Sequence, residues 1–164
     1  MSAIAVDVAN QTRFQVDGEA VARLVCAVLQ AEDVTWGELG VQFVGEHHVR
    51  MLNRDHMEVD AVTDVLAFPL ERAVLVDGVP VRRSPARGEG APPRLLGDVV
   101  VCLSAAERQA ARSSLPFALE VALLLVHGTL HVVGYDHDSD VGQMALRQAQ
   151  LLEEVAWEGI VARG

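Results

Sequence analysis

His127-Gly128-Thr129-Leu130-His131-Val132-Val133-Gly134-Tyr135-Asp136-His137 places three of the chain's six histidines within eleven residues. The first two are four apart, so on a helix both imidazoles leave one face, one turn apart. Gly134 is the residue type that turns left-handed at a helix C-terminus without Cβ strain, and the reversal sends His137 back towards the pair. Three neutral imidazoles from two backbone segments make an open tetrahedral metal site, with its fourth position left to water. Zinc, one ion per chain, suits that donor set best, although imidazole also serves other transition metals.

The H-x3-H-x2-G-x2-H spacing is that of the metzincin peptidases, in which a glutamate follows the first histidine as general base. Gly128 stands at that position here and has no side chain to take a proton. Ordinary metallopeptidase chemistry is therefore not expected, and no side chain is singled out as the catalytic acid or base. Upstream, Phe117 to Val133 is apolar on most sides, which predicts a buried helix, with Pro116 suited to its first turn.

The chain has 164 residues, enough for one domain spanning 1–164 with a substantial core. Apolar residues make up 51% and aromatics only 4%, so that core is aliphatic. The start has no basic, apolar leader pattern, and Ala118 to Val133 is too short and too polar to span a bilayer. A soluble, cytoplasmic protein with no membrane partner is expected, with Cys26 and Cys102 as buried thiols in a reducing compartment. A net charge of −10 argues against general nucleic-acid binding, but a local basic groove can coexist with an acidic exterior. All thirteen basic residues are arginine. That fits phosphate recognition and equally fits a codon bias without functional meaning.

Strands and helices alternate along the rest. Ala3 to Val8 reads as a strand, and Asp17 caps a helix with an apolar stripe at Val21, Leu24, Val25, Val28 and Leu29. Glu38 to Val44 alternates as a strand with Leu39, Val41 and Phe43 inward, followed by a short helix from Glu46 to Asn53. Thr63 to Pro69 and Gly97 to Leu103 are two more strands. Between them, Asp77-Gly78 marks a hairpin. The segment from Arg82 to Arg94 carries three prolines and four arginines and reads as an exposed loop, either simply solvated or touching RNA. Ser104 to Glu107 has the capping-box pattern, and a last helix is expected from Ser139 to Trp157. The result is an α+β domain: a four-stranded mixed sheet, about five helices and a zincin-like metal helix.

HGTLHVVGYDH resembles the H-G-x-L-H-L-x-G-Y-D-H signature of the YbeY family, metal-dependent endoribonucleases of ribosomal RNA maturation. Leu52-Asn53 followed by Thr63-Asp64-Val65-Leu66-Ala67-Phe68-Pro69 resembles the family's L-N and T-D-V-L-S-F-P segments, and Leu96-Gly97-Asp98-Val99 its L-G-D-I strand start. Matching segments run from Leu39 to Leu152. The resemblance implies His127, His131 and His137 as metal ligands and a mixed sheet with the metal at one end of a cleft. It also implies single-stranded ribosomal RNA near the small-subunit 3′ end as substrate, and the small ribosomal subunit and its assembly factors as partners. Oligomeric state is left open.

Two departures stand out. Where family members typically have Tyr-Arg before T-D-V-L-S-F-P, this chain has His56-Met57, and a thioether cannot meet phosphate charge. Ala67 replaces the usual serine. Arg50 and Arg54 are the candidates for RNA contact near the third strand, with Arg82, Arg83, Arg87 and Arg94 in the loop. His56 reads as a solvated loop residue or a fourth ligand, and His47 and His48 as exposed. Asp136 reads as a carboxylate orienting a ligand imidazole or as a turn residue. Three functions compete: an RNA-cutting enzyme, a non-catalytic ribosome-assembly factor with a structural metal, and a hydrolase of small molecules or peptides.

Overall fold

The computed structural model describes residues 3–81, 85–136, 138 and 140–163. Three strands, β1 (Ala3–Asn10), β3 (Trp36–Val44) and β7 (Leu95–Cys102), run parallel, and β4 (Val65–Pro69) pairs antiparallel to β7, giving the order β1-β3-β7-β4. Two small ribbons stand apart: β2 (Gln15–Val16) with β8 (Val161–Ala162), and β5 (Val74–Val76) with β6 (Val79–Val81). The helices are α1 (Gly18–Ala31), α2 (Glu46–Met57), α3 (Leu103–Ser113), α4 (Phe117–Val132) and α5 (Gln143–Glu154). The expected α+β architecture is the one observed. No single helix among the described residues is long and apolar enough to cross a membrane.

β7 explains its own apolar run. Val99 and Val101 join the main core with Val25 of α1 and Leu125 of α4, while Val100 and Cys102 face a smaller cluster with Val44, Val49 and Leu66 on the α2 side. A strand covered on both faces has no polar side to alternate with. On α1, the Asp17 side chain accepts the Ala20 amide at 3.0 Å, and the whole predicted stripe is buried. Asp77 and Gly78 are both left-handed, as the hairpin turn requires.

Several expectations are corrected. The capping box does not form: α3 begins at Leu103 directly out of β7, with Cys102 as N-cap. Ser104 thus already lies in the first turn and donates to Glu46 Oε1 at 3.4 Å, while Glu107 pairs with Arg163 at 2.8 Å. The last helix is shorter than expected. Gly142 is left-handed, and Asp140 accepts the amides of Gly142 and Met144, so α5 starts at Gln143; Val155 is extended and ends it. Ser139 lies outside the described residues. Conversely, α2 runs a turn beyond Asn53, so His56 and Met57 are helical rather than in a loop. Cys26 is only half-buried, unlike Cys102.

Glu120 is a buried carboxyl on α4. Burial raises its pKa, and the nearby charge of Asp64 adds to the shift. A raised carboxyl pKa stabilises the fold only while the group holds its proton. That contribution is complete below the ordinary carboxylate range and is lost as pH rises through the raised value. Glu120→Gln should therefore raise Tm over wild type at about pH 8 and lose that advantage near pH 4, about the ordinary carboxylate pKa. An equal advantage at both pH values would mean that the carboxylate charge is not the cause.

Candidate metal centre

α4 lies against β4 and β7 and carries the histidine pair to the sheet's edge. Its approach to the sheet is close at Gly128, where a Cβ would stand 2.6 Å from Val99 Cγ1 and 3.4 Å from Val65 Cγ2. The lack of a side chain at this position is thus also a packing requirement. His127 and His131 leave one face of α4, their ring centroids 4.7 Å apart and the ring planes at 77°. Nδ1 of His127 lies 2.9 Å from Gln148 Oε1 on α5. Between the two histidines, buried Thr129 donates its hydroxyl to Leu125 O at 2.7 Å, so the helix carries no orphaned polar group there.

The helix ends as the glycine predicts. Gly134 N–H donates to His131 O at 2.9 Å and Tyr135 N–H to Leu130 O at 3.0 Å, the paired bonds of a Schellman cap. Gly134 has φ 109°, and a Cβ there would fall 2.3 Å from Ala73 Cβ, so both backbone and neighbour require glycine. The outgoing turn is tethered. Tyr135 donates its hydroxyl to Glu32 Oε2 at 3.0 Å, and Glu32 Oε1 accepts Arg147 Nε at 2.5 Å. That bond from Glu32 also raises the Arg147 pKa.

A cleft of about 530 Å³ opens over the pair. His127, Gly128 and His131 form its floor with Gly134, Tyr135 and Asp136, and the facing wall is Met57, Val65, Ala67, Pro69, Glu71 and Leu75. Asp136 brings the outgoing chain to the same cleft, with one carboxylate oxygen accepting the Asp138 amide at 3.0 Å in an Asx turn. His137 lies outside the described residues. Among those described, no third His, Cys, Asp or Glu completes a ligand group with His127 and His131. Two half-buried imidazoles on one helix face, one braced at Nδ1, suit zinc in donor type and direction.

Met57, 43% exposed, lies on the cleft wall. Arg50 and Arg54 are not brought to the cleft. They line a shallow depression with His47, Met51 and Asp60, and no residue is common to the two cavities. Arg50 forks onto Asp60 at 2.7 and 3.2 Å, which raises the arginine's pKa and lowers the aspartate's, and Arg54 pairs with Asp55 at 3.2 Å. His56 is exposed and packs edge-on to Phe68 at 5.2 Å, away from the histidine pair's cleft. His47 is exposed, but His48 is half-buried with Nδ1 3.2 Å from Gln11 Oε1.

The arginine-rich loop is corrected in part. Arg94 does not lie open to a partner. Its side chain is 9% exposed, forks onto Glu71 at 2.8 and 2.9 Å, donates to Trp36 O at 3.0 Å, and stacks on the Trp36 ring at 5.4 Å. Arg87 covers the same indole at 5.6 Å, and the indole N–H donates to Pro85 O at 2.7 Å. Arg82 and Arg83 lie outside the described residues. This clamp steadies Glu71 on the cleft wall, a placement that sequence reading missed. Gln148 was missed too, since nothing local marks a glutamine 21 positions from its partner.

Comparison with known proteins places these residues in a family. Residues 7–156 match the family Endoribonuclease YbeY. The Endoribonuclease YbeY of Salinispora tropica is 36% identical over 163 residues, covering 98% of this chain and all of that one. That of Thermobifida fusca is 39% identical over 135 residues, covering 82% of this chain and 81% of the relative. The solution structure of TM1509 from Thermotoga maritima shares the fold with a TM-score of 0.59 at 23% identity, covering 91% of this chain and 87% of that one. The chain belongs to the YbeY family.

Proposed function

We propose, from membership of the YbeY family, that this protein is a zinc-dependent, single-strand-specific endoribonuclease of the cytoplasm. Its work is maturation of the small-subunit ribosomal RNA 3′ end and ribosome quality control, with the small subunit and its assembly factors as partners. The observation that carries the reading is the His127–His131 pair on the floor of an open cleft. His127, His131 and His137 would hold the ion, which when bound supplies Lewis acidity and a water of lowered pKa.

The chain's own residues shape the rest. A cleft of about 530 Å³ has room for an unpaired nucleotide. Its apolar wall of Met57, Val65, Ala67 and Pro69 suits the faces of a base and ribose, and among the described residues Glu71 and Asp136 are its carboxylates. RNA also brings its own 2′-hydroxyl nucleophile, so Gly128 does not bar cleavage as it bars peptide hydrolysis. Arg50 and Arg54, outside the cleft, would meet phosphates of the flanking strand.

Met57 favours a second reading, a ribosome-assembly factor that binds RNA through the same cleft without cutting it. Protein of measured zinc content should cleave an unpaired small-subunit 3′ fragment, stop on chelation, and resume when zinc is restored. The same segment annealed into a duplex should survive. Salt-sensitive binding without cleavage at any zinc loading would replace the nuclease with the assembly factor. Equal cutting of duplex would sink the single-strand preference.

A further inference from the structure

We propose that Gln148 is a positioning residue for the metal site, holding His127 in the tautomer that carries its proton on Nδ1. This rests on the metal reading above and adds to it the residue that prepares one ligand. The contact is direct, Gln148 Oε1 to His127 Nδ1 at 2.9 Å, between α5 and α4. With the amide placed so that its oxygen faces the ring, Gln148 accepts there, the facing ring nitrogen is N–H, and the lone pair of the neutral ring sits on Nε2. An imidazole without such a partner divides its proton between both nitrogens, and the wrong tautomer must rearrange before it can ligate.

Two further observations fix the contact. Arg147, the neighbour of Gln148 on α5, is bound to Glu32 Oε1 at 2.5 Å and to Ala31 O at 3.1 Å. Glu32 also accepts the Tyr135 hydroxyl, so the register of α5 and the exit of the metal loop are tied to one buried carboxylate. Gln148 is only half-buried, and no apolar packing requires an amide there. A carboxamide also orients the ring without adding charge, whereas a glutamate would raise its basicity as well.

The tautomer is observable without metal or substrate. In full-length, metal-free protein with 15N-labelled histidine, His127 should show a protonated Nδ1 and an unprotonated Nε2. Gln148→Leu, matched in size, should lower the share of the Nδ1–H tautomer and weaken zinc binding by roughly 10–100-fold in competition with a chromophoric chelator. Gln148→Glu should keep the Nδ1–H form and bind zinc at least as tightly as wild type. Circular dichroism of both variants checks that α5 persists. A Gln148→Leu protein with the wild-type tautomer and unchanged zinc affinity overturns the inference, as does an Nε2–H ring in the wild type. Failure of the metal reading looks different: the wild-type tautomer would be as stated, but no stoichiometric zinc would bind.

Discussion

Gly128→Glu is expected to remove most of the domain's stability and to create no peptidase. The substitution restores the metzincin pattern on paper, yet the position faces the sheet. Its first added atom would sit 2.6 Å from Val99 Cγ1, and Val99 is wholly buried and β-branched, with little rotamer freedom to yield. Overpacking of this kind costs about 1–3 kcal/mol. The added carboxylate also loses hydration beside Val65 and Val99, a further cost unless the group stays protonated and so fails as a base. Against a native stability of about 5–15 kcal/mol, the sum is ruinous. Denaturant titration should place Gly128→Ala between wild type and Gly128→Glu. A Gly128→Glu protein as stable as wild type would show that α4 can lift from the sheet, and the packing explanation of this glycine would fail.

Gly128 also shows where sequence reading stops. The missing base was legible, but its physical reason was not, because Val65 and Val99 meet it only through the packing of α4 on β4 and β7. What could be read was local chemistry. The Asp17 cap, the α1 stripe, the Asp77–Gly78 turn and the Gly134 helix end each lie within a few residues of their own partners. What escaped joins distant positions. Tyr135 and Glu32 are 103 apart in sequence, Arg147 and Glu32 115 apart, and Arg94 and Glu71 23 apart. Composition misled at Arg94: a Pro- and Arg-rich stretch reads as solvated, but Trp36 and Glu71 bury its last arginine. At Ser104 the capping pattern misled, because the direct junction of β7 with α3 makes Cys102 the N-cap and Ser104 the second residue of the helix.

His131→Ala should separate the metal from the fold. If three imidazoles share a zinc affinity of at least about 10 kcal/mol, each carries roughly a third of it. Removing one then weakens binding by a few hundredfold. Cleavage of unpaired RNA should fall further, since an ion held by two ligands is neither fixed in place nor kept open towards the cleft. The core should survive. Leu125, Val126 and Leu130 keep their burial on α4, whereas His131 is only half-buried and borders the cleft. With chelator present, wild type and His131→Ala should therefore melt within a few degrees of each other. In excess zinc the wild type should gain more than the variant, because stabilisation by a ligand of the folded state grows with affinity. A His131→Ala protein that retains stoichiometric zinc and full cleavage would place the metal elsewhere. One that unfolds while chelated wild type does not would make His131 a structural residue, and the cleft would lose its claim to be the reacting centre.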